Sequence, residues 1–371
     1  MFRHTIPLGR ILGIPIDVDY SWFLAWGLIT WNLAIGYYPH EYQNRSPAEY
    51  WLMGAVTAAL LFACVVLHEL GHSAIAVRFK IPVSRITLFM FGGVSQLAGE
   101  PRTAGAEFLI AVAGPAVSFV LAGLFWGVEA ALAGVPPLLA VAKYLGLLNF
   151  ILGVFNLIPG FPLDGGRVFR AIVWRLNHNF HRATLIAAVT GRFFGFLFIL
   201  LGVWQTLAGN FGGLWIAFIG WFLESAAASQ VQQQTVKDLL AGHKVSEAMS
   251  RDCPRIPIET FLQDLVDQQI LVTGRRCFVV TRGTELAGLV TLSDIRKVPR
   301  SAWPATTAGQ AMVSREKLAW IEPEAELWMA AEKMGRDGIN QLPVMANGVM
   351  VGMLSRDDLL HFLGILRDLR V

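Results

Sequence analysis

WLMGAVTAALLFACVVLHELGHSAIAV, residues Trp51 to Val77, contains one formally charged side chain, Glu69, and that residue stands between two histidines, His68 and His72. A stretch this long and apolar reads as a membrane-spanning helix. On a helix, positions i and i+4 share a face, so both imidazoles can reach one metal ion. Glu69, one residue on, then stands beside the water that such an ion would activate. An ionisable residue at membrane depth costs about 2.5 to 3.5 kcal/mol on insertion scales and is kept where it has a partner or a task. A zinc-binding pattern in this setting points to metal-assisted hydrolysis rather than to polar residues that merely cap or pair within a helix.

Outside this stretch the chain has two characters. Its 371 residues are 54% hydrophobic and 15% charged, with a mean hydropathy of +0.51, the balance of a polytopic membrane protein. Long uncharged runs nevertheless stop near Gln230, and an ordinary soluble composition continues to Val371. Six runs are long enough to cross about 30 Å of hydrocarbon. They are Tyr20 to Tyr38, Trp51 to Val77, Phe108 to Ala133, Leu138 to Ile158, Thr190 to Leu207 and Gly212 to Ala228. Basic residues alternate in side: Arg3 and Arg10 precede the first run, Arg78, Lys80, Arg85 and Arg102 follow the second, and Arg167, Arg170, Arg175 and Arg182 follow the fourth. By the positive-inside rule both termini are cytoplasmic, in a multi-pass protein of the cell (inner or plasma) membrane whose immediate partner is the lipid bilayer. At a rise of about 1.5 Å per residue, His68 lies about 25 Å into a span entered at Trp51, near the cytoplasmic face. Glu129, Lys143, Arg192 and Glu224, near the ends of their runs, read as snorkelling side chains without a catalytic role.

A net charge of +3, with no basic run interleaved with aromatics, excludes a nucleic-acid partner. Cys64, Cys253 and Cys277 lack metal-knuckle spacing and are odd in number, so they read as small buried apolar residues. The N-terminal segment reaches Pro15 without a long apolar core or a small-residue cleavage site, so no removable signal peptide is expected.

A catalytic zinc usually holds three protein ligands and leaves a position for water. The fourth run supplies a candidate third ligand where it ends in Asn156-Leu157-Ile158-Pro159-Gly160-Phe161-Pro162-Leu163-Asp164-Gly165-Gly166. Two prolines and three glycines break the helix, and broken backbone at membrane depth is tolerated only where it is buried in protein or lines a cavity. By itself Leu-Asp-Gly-Gly is equally a turn signal. What favours Asp164 as a ligand is that this run also crosses from outside to inside, ending on the same side as His68.

His68-Glu69-x-x-His72 together with Asn156-x7-Asp164-Gly165 resembles the site-2 protease family of intramembrane metalloproteases over the whole membrane portion. The resemblance implies Zn2+ held by His68, His72 and Asp164, Glu69 as general base, and Asn156 in the family's asparagine position, on the substrate backbone or the developing oxyanion. It also implies a transmembrane protein substrate, a membrane-tethered transcription factor or anti-sigma factor. Phe91-Gly92-Gly93-Val94-Ser95 is similar to the family's membrane-associated strand, with Gly92, Gly93 and Val94 binding an unwound substrate; an ordinary hairpin is the alternative. Gly114-Pro115 is similar to a family packing motif and reads as architecture.

Beyond the polar stretch Gln232-Gln233-Gln234-Thr235, one pattern occurs twice. Ala248-Met249 and Ala311-Met312 open the copies, and Ala287 to Asp294 answers Val351 to Asp358. With β-like runs and amphipathic helices between, this resembles a tandem pair of cystathionine-β-synthase (CBS) domains, although the first copy lacks the Leu342-Pro343-Val344 element of the second. In that family Ser/Thr-x-x-Asp holds the ribose and phosphate of an adenine nucleotide (ATP, ADP or AMP), here Thr291 with Asp294 and Ser355 with Asp358. The same pattern is also a helix capping box. CBS pairs commonly associate, so a homodimer through them is expected.

The expected fold is a polytopic α-helical membrane protein of about six spans with a membrane-associated β-hairpin, followed by a cytosolic α/β CBS-domain pair. Residues 1–230 form the transmembrane metalloprotease domain, 231–244 a linker, 245–300 the first CBS domain and 301–371 the second. The expected function is intramembrane zinc metalloproteolysis. The competing reading is a CBS-regulated transporter or channel in which His, Glu and Asp line an ion path; it predicts matching interruptions in repeated spans, and only the fourth run is strongly broken.

Overall fold

The computed structural model describes residues 5–90, 92–97, 99–131, 136–283 and 285–369. The chain divides into two units, Met1–Gln234 and Thr235–Val371.

In the first unit, α3 (Pro47–Arg78) carries the histidine motif. It starts cleanly because Ser46 accepts from the Glu49 amide while the Glu49 carboxylate accepts from the Ser46 amide, with Pro47 at the first helical position. Before it come α1 (Ser21–Asn32), a π-type turn over Leu33–Tyr37 and α2 (Tyr38–Glu41). After it come α4 (Ala104–Ala131), α5 (Pro136–Asn156), α6 (Asp164–Asn177), α7 (Phe180–Leu207) and α8 (Gly213–Leu240).

Among the described residues five helices, α3, α4, α5, α7 and α8, are long and apolar enough to cross a membrane. The first of the six expected runs is helical from residue 21 to 41 but changes winding at Leu33–Tyr37. Ala133, the expected end of the third run, lies outside the described residues. Leu52, Val120, Leu124 and Trp204 are exposed, as lipid-facing side chains should be and as a water-soluble surface would not tolerate in such number.

The expected hairpin is part of a larger sheet. The strands β1 (Thr5–Ile11), β2 (Ile14–Asp19), β3 (Val83–Phe89) and β4 (Gly92–Leu97) lie in the order β1-β2-β3-β4, with β2 parallel to β3 and the other pairs antiparallel. Leu12 and Gly13, both at positive φ, make the two-residue turn between the first two strands. The alternation Ile14, Ile16, Val18 was its signal in the sequence, and all three are buried. Ile14 and Ile86 pack on Leu70 of α3, laying the sheet beside the histidine motif. Strand β4 forms the outer edge.

Three of the four charges read as snorkelling at run ends instead pair within the protein: Arg192 bonds Glu224 at 2.9 Å and Lys143 lies 3.5 Å from Glu41. The first pair joins α7 to α8, which approach through glycines. A Cβ on Gly195 would lie 2.7 Å from the Glu224 amide nitrogen, and one on Gly202 2.3 Å from that of Ala217.

In the second unit β5 (Arg255–Pro257), β6 (Cys277–Arg282), β7 (Glu285–Thr291) and β8 (Val313–Ser314) form one sheet, and β9 (Gln341–Ala346) with β10 (Val349–Ser355) a second. The repeat is reciprocal. Met312 of the second copy packs on Gly288 of the first, where a Cβ would meet its Sδ at 2.9 Å, and Met249 packs on Gly352, where the distance would be 2.8 Å. Residues 231–240, expected as linker, are helical to Leu240, since nothing there breaks a helix before Gly242. The three cysteines are free. Burial, reinforced by the neighbouring Cys253 and Asp294, pushes the Cys277 thiol up to about 12, so it is neutral at physiological pH.

Candidate metal centre

The helical spacing of α3 places His68 and His72 one turn apart, both buried, with their Nε2 atoms 3.2 Å from each other. Asp164 arrives from the other side as the first residue of α6, its Oδ2 3.1 Å from both nitrogens. A metal bound tetrahedrally at about 2.0 Å from its ligands has ligand atoms about 3.3 Å apart, so this triangle has the right size.

Protonation makes the fit stronger. The Ile110 carbonyl can only accept, so His72 Nδ1, 2.7 Å away, carries the ring proton and Nε2 presents a lone pair. His68 Nδ1 is likewise engaged, by Ser118 Oγ at 2.8 Å. His72 Nε2 and the Asp164 carboxylate thus turn lone pairs toward one point, with His68 Nε2 beside them, a set of atoms suited to a cation placed between them. Among the described residues this is the group of three His, Cys, Asp or Glu side chains placed to hold a metal.

Helix α4 backs the site. A Cβ on Gly114 would fall 2.1 Å from His72 Nε2 and 2.6 Å from His68 Nε2, so no other residue lets α4 pass this close. Gly71 does the same for α3, where a Cβ would meet Val117 at 2.8 Å. Pro115, inside α4, follows directly. Gly114-Pro115 is thus architecture of a particular kind: its glycine is the wall against which His68 and His72 pack.

The turn from α5 to α6 is built by backbone contact. A Cβ on Gly165 would lie 2.3 Å from the Ile158 carbonyl oxygen, and one on Gly160 2.4 Å from Gly191 Cα. Arg170, two turns beyond Asp164, bonds the fully buried Glu107 of α4 through Nε at 2.8 Å and stacks on the rings of Phe161 and Phe180. This pair fixes α6, and so Asp164, against the helix that orients both histidines.

Glu69 is half-buried and accepts a hydrogen bond from Ser95 Oγ on β4 at 2.5 Å. Gly93 lies against it, and Gly92 and Val94 are its neighbours on the same strand; Phe91 lies outside the described residues. Asn156 ends α5, and among the described contacts its side chain bonds none of the metal-facing atoms. In the second unit both Ser/Thr-x-x-Asp pairs form capping boxes, with Asp294 Oδ2 2.6 Å from Thr291 Oγ1 and Asp358 Oδ2 2.6 Å from Ser355 Oγ. Ser355 and Asp358 also line a cleft of about 410 Å³ with Arg275, Arg276 and Gln341.

Sequence reasoning did not single out Ser118 or the Ile110 carbonyl. Their signal was spacing: 110, 114 and 118 lie on one face of a helix whose glycine is followed by proline. A Ser118→Ala chain should bind zinc about 10- to 100-fold more weakly in a competitive chelator titration, since partners of ligating histidines carry that much affinity. Unchanged affinity would show that packing alone orients His68.

Comparison with known proteins gives the following. The model of Peptidase family M50 matches residues 56–143 and 136–201, and the CBS domain model matches residues 245–301 and 310–365. The Synechocystis sp. protein named "Putative zinc metalloprotease sll0528" is 35% identical over 97% of this chain and 96% of its own length. The Mycobacterium tuberculosis protein named "Putative zinc metalloprotease Rip3" is 35% identical over 98% of this chain and 94% of its own. A solved structure, the site-2 protease from Methanocaldococcus jannaschii, is 32% identical, covers 61% of this chain and 95% of that one, and superposes with a TM-score of 0.44.

Proposed function

Since the chain belongs to Peptidase family M50, the site-2 protease family of zinc metalloproteases, and carries a tandem CBS pair, we propose that it hydrolyses peptide bonds in or near the transmembrane segments of membrane-tethered regulatory proteins. The observation that carries this reading is the convergence of three atoms able to ligate a metal, His68 Nε2, His72 Nε2 and Asp164 Oδ2, within 3.2 Å of one another beside Glu69. These three residues would hold Zn2+, which when bound supplies a Lewis acid for the scissile carbonyl and a water made acidic near neutral pH. Glu69 takes the proton from the attacking water and returns it to the leaving amine. Asn156 hydrogen-bonds the substrate backbone or the developing oxyanion. A helical substrate has its carbonyls tied up in i to i−4 bonds, so it unwinds before attack and is held extended along Gly92, Gly93 and Val94.

Both termini face the cytoplasm in this reading, which brings the centre near that side of the cell membrane. An adenine nucleotide, ATP, ADP or AMP, seats in the CBS pair against Ser355 and Asp358, and against Thr291 and Asp294 in the first copy, and sets the rate. The pair also joins two chains into a homodimer, which a monomeric mass in mild detergent would exclude. Nothing in the fold favours the transporter reading, since the family's chemistry accounts for the charged residues that prompted it.

The test is cleavage of a single-span model substrate by the purified chain in liposomes. Cleavage should stop with 1,10-phenanthroline and return with added zinc, and its rate should change with at least one of the three nucleotides. Cleavage indifferent to chelation would overturn the metal-dependent reading, and a rate indifferent to all three nucleotides would remove the nucleotide from it.

A further inference from the structure

The contacts of Glu69 come from a strand rather than from its own helix. Successive side chains of β4 point to opposite faces, so Gly93 and Ser95 share the face toward α3 while Val94 and Gln96 are exposed on the other. Both members of the inner face touch Glu69. A Cβ on Gly93 would lie 2.7 Å from Glu69 Cγ and 3.2 Å from Val65 Cγ1, so a strand side chain here would displace the glutamate. Two residues on, Ser95 Oγ lies 2.5 Å from Glu69 Oε2.

A hydroxyl has one proton to give. The carboxylate oxygen, far closer than the Glu69 carbonyl at 3.4 Å, takes it, which leaves the Ser95 oxygen to accept from Ser73 Oγ at 3.5 Å. A hydroxyl-to-carboxylate bond is charge-assisted and among the stronger side-chain hydrogen bonds. It occupies Oε2 and leaves Oε1 as the oxygen available to a proton.

We propose that Ser95 is a positioning residue for the general base: it fixes the Glu69 carboxylate to β4 through Oε2, so that Oε1 faces the attacking water. The inference rests on the reading of Glu69 as the base. Its consequence concerns substrate. Among the described residues strand β4 pairs with β3 and with no second strand, which leaves its other edge for an added strand. The strand that would hold the extended substrate is thus the strand that holds the base, so the register of the peptide and the position of the proton acceptor are set by one element.

The experiment is steady-state cleavage of fluorophore-labelled β-casein, an extended chain that need not unwind, by the full-length protein in detergent. Zinc content is measured on the same samples. Ser95→Ala should lower kcat about 10- to 100-fold, the cost of a base misplaced by roughly an ångström, with KM and zinc unchanged. Ser95→Thr, which keeps the hydroxyl, should recover most of the loss. Gly93→Ala should reproduce the kcat defect from the neighbouring position, and Gln96→Ala, on the outer face, should leave kcat alone. A wild-type kcat in Ser95→Ala, a change in KM only, or a Ser95→Thr chain as slow as Ser95→Ala would each overturn the inference. Glu69→Gln in the same assay separates the two levels: cleavage surviving in it would remove the premise, whereas its loss beside a normal Ser95→Ala would refute the positioning role alone.

Discussion

Asp164→Ala should strip the metal from the chain. Elemental analysis of the detergent-purified wild type is expected to give about one zinc per chain, and of the variant a small fraction of that, with proteolysis lost in proportion. The magnitude follows from the site, because Asp164 is the one donor that does not come from α3, and without it two imidazoles 3.2 Å apart face an open position. The fold should survive. Asp164 begins α6, where losing a carboxylate from the first turn costs about 0.3 to 1 kcal/mol, and the Arg170–Glu107 pair still ties that helix to α4. Zinc retained undiminished in the variant would mean that the distant motif is no ligand, and the three-donor centre would have to be abandoned.

Glu69→Gln should do the opposite, keeping the zinc and losing the reaction. Glutamine is close to glutamate in size and its amide oxygen can still accept from Ser95, so the side chain stays in place while the proton acceptor disappears. A general base contributes about 10²- to 10⁴-fold, and kcat should fall by that factor at unchanged KM. Zinc lost along with activity would make Glu69 a structural member of the site. Proteolysis unaffected, with ion flux measurable in liposomes, would revive the transport reading.

Much of the architecture was legible without a structure because it rests on local rules. The apolar runs around Trp51, Phe108, Leu138, Thr190 and Gly212 became helices because hydrocarbon leaves a backbone few other ways to satisfy its polar groups. The CBS repeat was legible because each copy carries the same Ala-Met opening and the same strand before an aspartate. The N-terminal hairpin was missed for an equally physical reason. A search for long apolar runs has a period of one, and Ile14, Ile16 and Val18 declare themselves only at a period of two. The helical state of the polar stretch after Gln230 was not read because composition was weighed there and helix propensity was not.

Within the candidate site the division is sharper. The spacing of His68 and His72 follows from helical periodicity alone, and the break that presents Asp164 follows from prolines and glycines that no helix accommodates. Chain spacing of 92 and 96 residues carries no distance, however. Only tertiary packing could bring Oδ2 within 3.1 Å of both imidazoles, through an arginine on α6 pairing a buried glutamate on α4. The same packing turned Gly114 from a small residue in a span into the wall of the candidate centre, Ser118 into the partner of His68, and Ser95 into the partner of Glu69. Periodicity and composition act between neighbours along the chain and can be read from it, whereas a metal centre depends on contacts between helices and strands far apart in sequence, which exist only once the helices have packed.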